Sequence, residues 1–349
     1  MVCSPAAAGL GSRPVGGLGD RVMVGALLDV LSPELVDELL AEFGIPERPR
    51  RVMSNRLAIY FALALWLWPD DDVATVVARL FDGLTWAGLV IEDAIPLDGT
   101  ATKARERIGP GPLASVFGHV AGPAAPHNAP RVLSGLALRA LDCVTVRVRQ
   151  PERVGFGSVH IMTVADWRGA LTGAGWAPGS VEVGELAGRV VGPLPDVAGS
   201  VMFAGLAFAG LWEVAARAGA HVVAEVPPGL RPPHSERLGD GSRLTDLQGR
   251  RLRLISRPGG GPLATTLTDP RHAPAKDLVW WHACRWQGSE MVARLCARQA
   301  RAVSLRSRTE AGVAQEIWAL LSVYQILARP LVDPEFKRTR RIRPRPEGM

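Results

Sequence analysis

Leu136-Ala137-Leu138-Arg139-Ala140-Leu141-Asp142-Cys143-Val144-Thr145-Val146-Arg147-Val148-Arg149 is the stretch whose reading decides the fold. Its apolar residues recur with period two, as in a strand with one buried face, most cleanly from Val144 to Arg149. Leu138, Ala140, Val144, Val146 and Val148 share one face, and Asp142 falls on that same face. A carboxylate there is costly unless it has a partner or a metal. A strand aspartate of this kind is as often a hydrogen-bonded structural group as a ligand, so both readings stand.

Upstream the texture is helical. Ser32, Pro33 and Glu34 supply a capping hydroxyl, a proline at the first helical position and an acid in the first turn. Leu35, Val36, Leu39 and Leu40 then repeat at helical spacing, and Gly44 stops the helix. Ser54 caps a second helix through Leu57, Tyr60, Phe61, Ala64 and Trp68. A third runs from Asp72 to Phe81, and a fourth from Gly99-Thr100 through Ala104 and Ile108, with Arg105 and Arg107 outward. Gly109-Pro110-Gly111-Pro112 breaks it, and a fifth spans Leu113 to Val120. The expected layout is a disordered Gly/Ala/Pro-rich N-terminus over 1–18, an all-α unit over 19–122 and a linker over 123–132.

Downstream the pattern alternates strand and helix, which is α/β punctuation. Val159 to Val164 and Val181 to Val183 read as strands. Val201 to Ala204 is a short apolar run, followed by a helix from Leu211 to Ala218 and a strand from His221 to Val226. Gly229 to Gly261 is polar and rich in Gly, Pro and Arg; with the alternation Arg251-Leu252-Arg253-Leu254-Ile255 it reads as a β insertion, placed about 222–265. Helical patterns follow at Asp277–Ala302 and Glu310–Ala328, so the α/β core is expected over 133–330. In the tail, 331–349, six bases stand against three acids, leaving +3, half the net charge of the chain.

Composition narrows the function classes. With 349 residues, 47% apolar and 21% charged, the chain can bury a core, which excludes a disordered chain. Four cysteines make no disulfide framework. Net charge +6 permits an anionic partner. Only Lys103, Lys276 and Lys337 of the 40 basic residues are lysines, so the arginine excess reads mainly as codon bias. The most apolar run, Leu57 to Trp68, is twelve residues long, short of the roughly 20 a membrane span requires. No N-terminal leader pattern is present, so no membrane partner and a cytoplasmic protein are expected.

The common chemical motifs fail on context. His282, Cys284 and Cys296 are neighbours in sequence but lack the short-spaced pairs of a zinc site. The glycine clusters at 9–11, 16–19 and 259–261 lack the strand before or the helix and lysine after that a phosphate cradle needs. No Gly-x-Ser-x-Gly elbow occurs.

Several segments, in order, carry a family resemblance. They are Leu18-Gly-Asp-Arg-Val-Met-Val-Gly25, Ser32-Pro-Glu-Leu-Val-Asp-Glu38, Arg50 to Leu65, Ala104-Arg-Glu-Arg-Ile-Gly-Pro-Gly-Pro-Leu113 and Leu138-Arg-Ala-Leu-Asp142. Thr268-Asp-Pro-Arg-His272, Cys284-Arg285-Trp286, Leu305-Arg-Ser307 and Gln315-Glu-Ile-Trp-Ala-Leu-Leu321 complete the set. Together they resemble the insertion-sequence-four family of DDE transposases, in the form common in actinobacteria, over about three quarters of the chain. The resemblance implies an α/β fold with an N-terminal all-α domain and a ribonuclease-H-like core carrying a β insertion. It implies transposition of an insertion sequence by metal-dependent phosphoryl transfer, with Mg²⁺ or Mn²⁺ held by Asp, Asp and Glu. The implied partner is double-stranded DNA at the element's ends, with a homodimer left open.

The sequence departs from that pattern at the carboxylates. Asp142 matches the first, and is the metal ligand the resemblance implies, although Cys143-Val144 replaces the usual Gly-Thr. Gly205 stands where the second aspartate is expected and Leu206 where an arginine follows it. In the third signature Arg285 and Trp286 match, His282 replaces Tyr, Ser289 falls on the glutamate and Cys296 on the lysine. Glu290 lies one residue late, a rotation of about 100° on a helix, and is a candidate displaced third carboxylate. One carboxylate cannot balance two dications, so the expectation is a transposase with impaired chemistry. The alternative is a non-catalytic DNA-binding remnant or regulator derived from one. Arg338, Arg340 and Arg341 in the tail are the candidate DNA contacts.

Overall fold

A computed structural model describes residues 17–47, 52–90, 95–122, 133, 135–195, 197–228, 235–247, 249–284 and 304–332. The chain divides into two compact units, 1–113 and 114–349.

The first unit is helical: α1 (Leu18–Val30), α2 (Pro33–Ala41), α3 (Asn55–Leu67), α4 (Val73–Trp86) and α5 (Asp98–Ile108), with α6 (Gly111–Val120) running across the division. The capping residues read from the sequence take those places. Ser32, Ser54 and Asp72 each precede a helix and accept from the backbone N–H three residues on. Gly44 follows α2 at φ 65°, the left-handed region glycine enters most readily. Helix α3 is apolar nearly all round, and Ala58 to Ala64 are all buried, which makes it the central helix of this unit. The Tyr60 hydroxyl donates to the Leu31 carbonyl at 2.8 Å, and burial raises its pKa above the ordinary phenol range. Arg21 pairs with both carboxylate oxygens of Asp82, tying α1 to α4.

The second unit is a mixed sheet with helices on it. Its strands are β1 (Ala137–Val148), β2 (Ser158–Asp166), β3 (Leu171–Pro178), β4 (Ser200–Leu206), β5 (His221–Glu225), β6 (Glu236–Arg237), β7 (Arg243–Leu247), β8 (Arg250–Ile255), β9 (Leu263–Thr265) and β10 (Ser304–Leu305). The helices are α7 (Pro151–Val154), α8 (Val183–Val191), α9 (Leu211–Arg217), α10 (Ala275–Cys284) and α11 (Glu310–Val332). Strand order is β3-β2-β1-β4-β5-β9-β8-β7-β6. β2 runs antiparallel to β1 and β3, while β4 and β5 run parallel to β1. The expected insertion forms the antiparallel strands β6 to β9, which extend the same sheet beyond β5.

One cluster on the sheet joins Leu141, Met162, Met202, Val222 and Ala224 to α8 and α9; the other joins Leu138, Val201, Phe203 and Val223 to Ala273 and Leu278 at α10. Alternate residues of each strand therefore serve opposite layers.

The strand expected at Val181–Val183 is not there. Val183 opens α8, and the third strand is Leu171–Pro178. Gly173 and Gly175 explain both errors. A Cβ on Gly173 would lie 2.5 Å from Leu194, and one on Gly175 2.6 Å from Val190, so the strand is bare where this layer presses on it. The helix pattern expected at Asp277–Ala302 is described only as α10, and the linker and most of the basic tail lie outside the described residues. Glu310–Ala328 is long and apolar enough to cross a bilayer, yet 83% of its most apolar stretch is buried within the fold.

Candidate active-site strands

The geometry starts from the register of β1 and β4. These strands pair in parallel from Ala137↔Ser200 to Leu141↔Ala204. Asp142 and Gly205 are next in line, on neighbouring strands about 5 Å apart. Asp142 shares the parity of Leu138, and Gly205 that of Val201 and Phe203, so both belong to the α10 side of the sheet. The two positions that the resemblance assigns to one site, 142 and 205, each follow the last β1–β4 pair on neighbouring strands.

Local irregularity marks the same spot. β4 meets β5 as Ala204↔Ala224 and then Leu206↔Glu225, so Gly205 is the extra residue of a β-bulge. Bulges end pairing and re-aim side chains, and they concentrate near active sites. Beyond it β1 runs on: its pairing with β10 resumes only at Arg147↔Ser304. Among the described residues, no strand pairs with β1 on this edge between Leu141 and Arg147. Asp142 itself is half-buried and opposes the buried Thr163 on β2. The Cys143 thiol is pushed up to about 11, first by desolvation and then by the Asp142 carboxylate. It is therefore a poor nucleophile at neutral pH.

A polar network that the sequence reading missed lies on this side. His282 of α10 is buried, and its Nε2 is 3.0 Å from the carbonyl oxygen of Ala204, the residue before Gly205. A carbonyl only accepts, so Nε2 carries a proton. The other ring nitrogen, Nδ1, is 3.5 Å from an Arg257 guanidinium nitrogen, which only donates. Both contacts are met by the neutral imidazole with its proton on Nε2. Arg257 also donates through Nε to the Gly261 carbonyl at 2.8 Å and pairs with the Glu225 carboxylate. Glu225 ends β5 beside the bulge, and its carboxylate would lie 3.0 Å from a Cβ at Gly261. Glu225, Arg257 and His282 are 25 to 57 positions apart, so no local motif announces them.

Behind the network, Arg253 anchors the start of α10. Its side chain is fully buried and bonds Ser242 Oγ at 2.7 Å, the Ala273 carbonyl at 2.6 Å and the Asp240 carboxylate. Asp240 also accepts from the Ala275 N–H at 3.2 Å. The β insertion therefore fixes where α10 begins.

Among the described residues, no three His, Cys, Asp or Glu side chains are placed to hold a metal ion. On this side of the sheet Glu225 is taken up by Arg257, and Gly205 has no ligand to offer. The described donor set does not fit a two-metal centre. Arg285, Ser289, Glu290, Arg338, Arg340 and Arg341 lie outside the described residues.

Comparison with known families places the first unit. Residues 21–118 match the family model described as Insertion element 4 transposase N-terminal. Comparison with curated proteins gave no match.

Proposed function

We propose that this protein derives from an insertion-sequence transposase of the DDE type, that it binds double-stranded DNA, and that its phosphoryl-transfer chemistry is impaired. The observation that carries the proposal is the placement of Asp142 and Gly205 one residue past Leu141↔Ala204, the last pair of two neighbouring parallel strands. The matched N-terminal segment supports transposase ancestry for the chain. The strand order β3-β2-β1-β4-β5, with only β2 reversed, supports a ribonuclease-H-like core, whose catalytic carboxylates stand on the first strand and at the end of its parallel neighbour. Asp142 and Gly205 take those two places, and one of the two has lost its carboxylate.

In-line transfer between phosphodiesters uses two dications, one on the attacking and one on the leaving oxygen, and carboxylates hold both. Where the second aspartate is a glycine and the third position a serine, the pair of Mg²⁺ or Mn²⁺ ions loses most of its counter-charge. What remains for DNA is the net positive charge of the chain, half of it in residues 331–349, whose attraction to phosphates needs no metal. Incubation of the purified protein with Mn²⁺ and DNA carrying the inverted repeats that flank its gene tests the reading. The expected result is a salt-sensitive complex without nicks or joined strands. A protein that neither binds these ends nor distinguishes them from unrelated duplex would overturn it.

A further inference from the structure

We propose that Arg257 is an internal counter-cation that has replaced divalent metal at the ends of β4 and β5. The inference rests on the reading of Asp142 and Gly205 as the first two carboxylate positions. It goes further by assigning a role to Arg257 and Glu225, which have no place in that pattern.

The sheet face around Gly205 supplies two described carboxylates. Asp142 stands on β1 and Glu225 at the end of β5, one strand to either side of Gly205. Residues 223 and 225 have one parity, and Val223 lies in the same cluster as Leu138 and Phe203, so Glu225 and Asp142 serve one face. Left alone, two carboxylates here would attract a dication. Arg257 prevents that: its guanidinium is fastened to Glu225, to the Gly261 carbonyl and, at 3.5 Å, to His282. His282 bridges from it to the Ala204 carbonyl beside Gly205. A fixed positive charge thus lies one imidazole ring away from the backbone of the lost ligand.

The consequence is that restoring carboxylates alone falls short. An aspartate at 205 would meet a resident cation as well as incoming metal. Mn²⁺ binding to the full-length protein, read by electron paramagnetic resonance of the free ion, tests this in three proteins. The unaltered chain should bind no Mn²⁺. Gly205→Asp, which puts a carboxylate back between Asp142 and Glu225, should bind it weakly. Adding Arg257→Gln should tighten binding roughly tenfold or more, since a unit charge within several ångströms at intermediate dielectric is worth at least that. Arg257→Lys in the same background keeps the charge and should give no such gain. Arg257→Met, which keeps the apolar stem, serves in place of the glutamine variant if that variant fails to fold. Equal Mn²⁺ affinity with and without Arg257 would overturn the proposal, as would tightening by the lysine variant. DNA binding by the unaltered protein is measured separately. If that fails while the Arg257 effect holds, the counter-cation stands and the DNA-binding part of the proposed function falls.

Discussion

At the residue scale, the second unit depends on one buried charge. Arg253 is held by four groups, and replacing it with methionine would leave Asp240 and the Ala273 carbonyl without it. Breaking such a pair from one side costs about 3–5 kcal/mol, so Arg253→Met should lower the unfolding free energy of this unit, read by denaturant titration, by an amount in that range. Desolvation pushes the Asp240 carboxyl up. The Ser242 hydroxyl and N–H, the Arg253 guanidinium and the Ala275 N–H outweigh it and hold the carboxyl below its usual value. A depressed folded pKa gives stability that is present above the unfolded value and lost as pH falls through the folded one. Denaturation followed from pH 6 down to about pH 2 should show that loss below roughly pH 4. In Asp240→Asn the acid-dependent part should shrink; an unchanged pH profile would count against it.

Single residues also mark how far the sequence can be read. Asp142 stood out because period two put a charge on an apolar face, and Gly205 because an apolar run ended where the resemblance expects an aspartate. Arg257 and Glu225 were not legible, and His282 was noted only as a replacement for tyrosine, not as a partner of either. Each looks ordinary in its own segment, and only the bulge and the packing of α10 bring them together.

At the element scale, small residues set the distances between layers. The starts of capped helices were read to the residue, because capping is local chemistry: α2 starts after Ser32, and it ends at Ala41, with Gly44 at positive φ in the turn that follows. Strand β3 was missed because Gly173, Ala174 and Gly175 carry no β signal of their own; their value lies in the room they leave. Gly175→Val should therefore force α8 off the sheet and destabilise the second unit by about 1–3 kcal/mol, despite valine's better strand propensity. Gly83 does the same between α1 and α4, where an added Cβ would lie 2.6 Å from Val24. Gly83→Ala should cost a similar 1–3 kcal/mol although alanine favours helix. Thermal unfolding of each variant decides the matter. A gain in stability at either site would mean the layers yield more easily than the contacts indicate.

At the scale of the whole molecule, the β insertion is part of the sheet. β9 pairs with β5, β8 with β9, and Arg253 of β8 fixes the start of α10. Helix α11 supports the opposite edge, where Gln325 accepts from Leu171 of β3 and Tyr324 donates to the Gly169 carbonyl. Charge acts at this scale too. The tail holds half the net charge, so removing residues 333–349 should weaken DNA binding most at low salt. The slope of log affinity against log salt should become shallower by at least about 1, the loss of one phosphate contact or more. An unchanged slope would remove Arg338, Arg340 and Arg341 from the interface.

The central claim is that a transposase-like frame has lost the carboxylates its chemistry needs. The most direct measurement is a strand-cleavage assay on DNA bearing the element's ends, with Mg²⁺ or Mn²⁺, comparing the unaltered protein with Asp142→Ala. The account predicts a bound complex and no cleavage by either protein. Metal-dependent cleavage by the unaltered protein, abolished in Asp142→Ala, would contradict it and identify Glu290 as a working third ligand.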